Sequence, residues 1–170
     1  MLARNEIIIK WVIYSAATAV WFLVQGAFCQ RITIWGVIPF LYPMLAAIPA
    51  TFEAPVPATV FALCLGVVCD VLLPGAMPCL YTLIFPVIGL CASLLAQSLL
   101  PAGMLCSLVV SAIAFLLTDL FRCFVLAING TGDFGTGFSI MAREFLITAP
   151  LLIPVTLLYR AVYKKTHIYD

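Results

Sequence analysis

Asp70 sits within residues 58–73, ATVFALCLGVVCDVLL, a run with no other charged side chain. At the centre of a membrane-spanning helix an ionised carboxylate costs about 2.5–3.5 kcal/mol on an insertion scale, and less toward the helix end, where Asp70 falls. Gly66 precedes it by one turn on the same face, and a small residue stacked on an acid at i and i+4 leaves a notch that another helix or a ligand can enter. The short aspartate side chain cannot snorkel far, and no cation is near it in sequence. Its partner must be another helix, another protein or a proton. Gly66 and Asp70, with Ala62 and Gly89, are the positions where a partner helix is expected to dock: small residues permit close approach and the carboxylate fixes orientation. Because removing a membrane charge lowers the cost of insertion, replacing Asp70 is expected to leave the bundle folded. Four more ionisable side chains fall in apolar segments, Asp119 with Arg122 and Arg143 with Glu144. The first two can pair at i, i+3 on one helix face, whereas Arg143 and Glu144 point about 100° apart and cannot share a partner direction.

The elements that carry these residues follow from composition. Of 170 residues, 65% are hydrophobic and 9% charged, against roughly a quarter charged in soluble domains. Mean hydropathy is +1.22. An all-α integral membrane protein follows, a bundle of six transmembrane helices in a single membrane domain. The spans are expected near residues 11–29, 32–50, 58–73, 79–100, 104–128 and 138–159, the second kinked at Pro39, Pro43 and Pro49. The turn 74–78 and the pair Pro101-Ala102 are short connections, and residues 129–137 form a polar, glycine-rich loop. The apolar run after Lys10 is too long for a signal peptide's core, so a retained first span is expected. Trp11 and Trp35 read as interface anchors and Trp21 as a packing residue.

Six spans put both ends of the chain on one side. Arg4, Lys10, Arg160, Lys164 and Lys165 outnumber the single Arg31 opposite, so both termini are expected in the cytoplasm and the glycine-rich loop outside. Asp70, Asp119, Arg122, Arg143 and Glu144 then share the outer half as a polar cluster. For Arg122, Arg143 and Glu144, snorkelling or mutual neutralisation is the simpler role.

Several chemistries are excluded or weak. The net charge of +1 gives nucleic acid nothing to grip. The seven cysteines form no Cys-x-x-Cys pair and the one histidine, His167, is in the tail, so no metal and no cofactor is expected. No Ser/His/Asp or Cys/His set can assemble. Gly130-Thr131-Gly132-Asp133 is similar to the Gly-x-Gly-Asp motif of intramembrane aspartyl proteases, but it continues into more glycine instead of an apolar helix. That makes the protease a remote alternative, and Asp133 a spacer residue. Asn129-Gly130-Thr131 matches a glycosylation sequon, a pattern common by chance.

Length, six spans and residues 39–96 resemble the MreD family of bacterial rod-shape-determining membrane proteins. The resemblance is carried by Pro39-Phe40-Leu41-Tyr42-Pro43, by Phe61-x4-Gly66-x3-Asp70, by the glycine turn at Gly75 and by the helix containing Gly89. The family has a second glycine about eight residues after the aspartate, where this chain has Pro78. The resemblance implies a noncatalytic scaffold subunit of the cell-elongation complex in the bacterial cytoplasmic (inner) membrane. Its partners would be MreC, MreB, RodA and a class B penicillin-binding protein, and its task the control of cell shape and peptidoglycan synthesis. It also implies a fold similar to the substrate-binding S components of energy-coupling-factor vitamin transporters, which is the alternative function. Few aromatic rings flank the outer charges, so tight vitamin binding is not expected.

Overall fold

The structure, a computed structural model, describes residues 2–73, 79–128, 130 and 134–166. Gly75 and Pro78 in the third connection, Asn129, Thr131 and Asp133 in the glycine-rich loop, and His167 lie outside the described residues.

The chain is an all-α membrane bundle. Its described helices are α1 (Leu2–Ala27), α2 (Tyr42–Ala50), α3 (Pro55–Leu72), α4 (Leu80–Ser98), α5 (Met104–Ile128), α6 (Phe134–Thr148) and α7 (Leu152–Thr166). Among the described residues, five helical segments are long and apolar enough to cross a membrane: Ile7–Arg31, which takes in most of α1, then α3, α4, α5 and the run Gly137–Thr166 that joins α6 to α7. The protein is therefore a multi-pass membrane protein.

The second apolar segment departs from expectation. Residues 32–50 were expected to form one kinked span, but only Tyr42–Ala50 is helical, nine residues or about 13 Å at 1.5 Å per residue. Pro39 disfavours helical backbone at Ile38, whereas Pro43, in the first turn of α2, suits a helix start because its missing N–H would have no intrahelical partner there. Ahead of these, Trp35 and Gly36 have positive φ and Ile34 and Val37 exchange backbone hydrogen bonds in a tight turn. The helix that remains is wholly buried. Buried non-helical backbone needs partners for its polar groups. Gln25 supplies them from α1, donating to Pro39 O at 2.8 Å and accepting from Leu41 N at 3.1 Å, while Phe40 N donates to Thr148 Oγ1.

Contacts at the two ends fix the course of the chain. At one end Lys10 Nζ meets Glu53 Oε2 at 2.7 Å, Ser93 Oγ donates to Glu53 O, and Phe52 packs on Tyr163. At the other end Gln25, Pro39–Leu41 and Thr148 are joined by the hydrogen bonds just described. Residues 42–53 therefore return antiparallel to α1 across most of the bundle, and the start of α1 lies at the same end as the close of α7. α2 does the topological work of a span without its length.

The last segment also differs. A loop over 129–137 and one helix over 138–159 were expected, but α6 already begins at Phe134, within the expected loop, and is joined to α7 by a 3-10 turn, Ala149–Leu151. Pro150 and Pro154 have no N–H to continue the helical ladder, and each ring crowds the carbonyl four residues back. One turn in from the Lys10 end, Tyr14 stacks on Tyr159 at 6.0 Å, and the Tyr159 hydroxyl meets Thr18 Oγ1 at 2.7 Å, tying α1 to α7. Trp21 is buried, whereas Trp35 is exposed at its turn. The seven cysteines are free thiols.

Candidate functional site: a shared polar end of the bundle

The positions expected to receive a partner helix form the seam between α3 and α4. Ala58, Ala62, Gly66 and Asp70 recur every four residues and make one stripe of α3. A Cβ placed on Gly66 would sit 2.6 Å from Tyr81 O and 2.9 Å from Thr82 Cα, and one on Gly89 would sit 2.8 Å from Ala62 Cβ. The notch foreseen around Gly66 and Asp70 is real, and the first turn of α4 from the same chain fills it. Phe61, also in the stretch that carries the resemblance, packs on Trp11 and Tyr14 and so ties α3 to α1.

Asp70 has its partner within the chain. α4 starts after Cys79, a left-handed residue whose side chain caps nothing, so its first N–H groups need an acceptor from elsewhere. Asp70 Oδ1 accepts from Tyr81 N at 3.0 Å; Oδ2 accepts from Thr82 N at 2.8 Å and from the Thr82 hydroxyl at 2.5 Å. An anion at a helix N-terminus also interacts favourably with the helix dipole. Asp70 is a helix cap supplied in space by the neighbouring helix. The partner of Asp70 is thus the neighbouring helix of the same chain, and replacing the carboxylate would release three hydrogen bonds.

The other charges divide. Arg122 Nη1 lies 3.4 Å from Asp119 Oδ1 and 3.9 Å from Glu144 Oε2, so the i, i+3 pair forms and Glu144 joins it from α6. The Arg122 guanidinium also stands 5.6 Å over the Phe40 ring, in cation–π geometry. Arg143 points away from this cluster and is exposed, as the 100° offset from Glu144 requires. Asp70 belongs to the same end through Tyr81, whose ring is 6.2 Å from Phe40.

Between these elements opens a cavity of about 350 Å³, lined in part by Gln30, Phe40, Tyr42, Arg122 and Glu144. Sequence reasoning missed Gln25, Phe40 and Thr148 here, and the Lys10–Glu53 pair at the opposite end. The available signal was a polar Gln25 in an apolar span next to a proline-rich segment whose backbone would need donors and acceptors. No group of three or more His, Cys, Asp or Glu suited to a metal occurs among the described residues.

Fold and site together define an all-α, multi-pass membrane bundle with one polar, partly open end. No family model, curated protein or solved structure matches the chain.

Proposed function

We propose that this chain is a noncatalytic scaffold subunit of the bacterial cell-elongation complex, similar to MreD proteins and working through MreC, MreB, RodA and a class B penicillin-binding protein. One observation carries the reading. The residues of the resemblance that lie on α3 and α4 interlock: Gly66 and Gly89 permit the close approach of the two helices and Asp70 caps α4. A sequence signature spent on holding a hairpin rigid suits a protein that presents fixed helical surfaces to partners. Asp70 supports the same reading. It is committed to three hydrogen bonds within the α3–α4 hairpin, which suits a structural role. On this reading the membrane is the cytoplasmic one. The Lys10 end faces the cytoplasm, in keeping with the basic residues near both ends of the chain.

The cavity favours a second reading, a small-molecule-binding subunit akin to a transporter S component. Its volume lies within the range of ligand sites. The two readings part on cell morphology. Depleting the protein from rod-shaped cells that carry it should make them round, and re-expressing the wild-type chain should restore rods. Rods that persist while vitamin uptake fails would replace the scaffold with the transporter subunit.

A further inference from the structure

The cavity at the polar end has a charge arrangement that the scaffold role does not use. Arg122 and Glu144 line it side by side. Among the described residues Arg122 makes one hydrogen bond, to Asp119, and that is long at 3.4 Å; its side chain is 42% exposed. A guanidinium has five N–H donors, so most of them remain available to a ligand. Glu144 Oε2 is buried without a hydrogen-bond partner among the described residues, and so is Oδ2 of Asp119, whose side chain is only 9% exposed. Buried carboxylate oxygens without donors are costly, so a positive group brought up to Glu144 from the cavity would be favoured.

A ligand in this cavity has to satisfy both signs. A simple anion drawn to Arg122 would face two carboxylates, and a simple cation drawn to Glu144 would face the guanidinium. A dipolar ligand completes both at once. Phe40 and Tyr42 give its carbon skeleton an apolar wall, and Gln30 offers a further polar contact. We propose that this cavity binds a small zwitterion, its ammonium against Glu144 and its anionic group against Arg122, the chemistry of an ethanolamine phosphodiester. That chemistry can come from a lipid headgroup, since the cavity opens at one end of a membrane bundle, or from a free solute. The site does not depend on the assembly reading.

The full-length protein in phosphatidylglycerol nanodiscs is titrated with glycerophosphoethanolamine, and a second set of discs contains phosphatidylethanolamine. Thermal unfolding is followed in both. Occupancy at a hundred times Kd should raise the midpoint by about 5–10 °C. Glu144→Gln should abolish the rise, and Arg143→Gln, one residue away and exposed, should keep it. A rise with the soluble compound identifies a free zwitterion, and a rise with the lipid alone identifies a headgroup. Both support the site. Native mass spectrometry of the wild-type chain from discs containing both lipids gives a readout independent of the variants. A headgroup site requires at least tenfold enrichment of phosphatidylethanolamine over phosphatidylglycerol, and a free-solute site requires the soluble compound to remain bound. The proposal is overturned if neither ligand is retained, if glycerol 3-phosphate raises the midpoint equally, or if a folded Glu144→Gln keeps the rise.

Discussion

Replacing Asp70 sets two effects of opposite sign against each other. As a charge in an apolar helix, Asp70 costs insertion energy that Asp70→Leu would return. As a cap, it supplies acceptors for Tyr81 N, Thr82 N and the Thr82 hydroxyl. An N-cap is worth about 0.5–2 kcal/mol, and a donor left stranded in a buried setting costs about 1–3 kcal/mol. Asp70 is only partly buried, so water reaches some of the released donors and the loss for Asp70→Leu comes to about 3 kcal/mol. The returned insertion energy is small, because in the inserted but unpacked chain a carboxylate near a helix end can already reach water. Asp70→Asn keeps the shape and one acceptor oxygen, which limits its loss to about 1 kcal/mol. At about 2–4 °C per kcal/mol for a chain of this size, the unfolding midpoint should fall by about 6–12 °C for Leu and about 2–4 °C for Asn. Thermal unfolding of the detergent-purified chain, followed by reaction of the buried thiols with a fluorogenic maleimide, reads both values. A midpoint for Asp70→Leu at or above wild type would refute the capping argument.

Three further outcomes follow from the same contacts. Gly66→Ala drives a Cβ to within 2.6 Å of the Tyr81 carbonyl and should cost about 1–3 kcal/mol by overpacking; Gly26→Ala, with nothing within 4 Å, should be neutral or slightly stabilising in the same assay. Lys10→Met leaves Glu53, whose side chain is 7% exposed, as an unpaired charge and should cost about 3–5 kcal/mol, while Lys10→Met with Glu53→Met should recover most of it. In a cysteine-free background, Gln30→Cys should react with an impermeant thiol reagent on intact cells and Lys164→Cys only after permeabilisation; the opposite pattern would invert the bundle.

The apolar runs made the spans legible, because length and hydropathy alone decide whether a segment can cross a bilayer. Spacing also disclosed the Asp119–Arg122 pair and the divergence of Arg143 from Glu144, since both follow from helical geometry within one element. What spacing could not disclose was which surface fills a notch. Gly66 and Asp70 look the same in sequence whether the incoming helix belongs to a partner or to the same chain, and the answer depended on α4 folding back against them. The prolines of the second segment were visible, but whether they kink a helix or prevent one depended on Gln25 and Thr148 being placed to satisfy the exposed backbone. Those contacts join residues 14 and 108 positions apart, beyond what local pattern encodes.

The proposed membership of an elongation complex is tested most directly by the company the protein keeps. The tagged full-length chain is purified from its native membrane in mild detergent and its partners are identified by mass spectrometry, with an unrelated multi-pass protein purified in parallel. MreC should be recovered in near-stoichiometric amount, with RodA and its class B penicillin-binding protein enriched above the control. Recovery of transporter ATPase subunits in place of MreC would contradict the scaffold assignment.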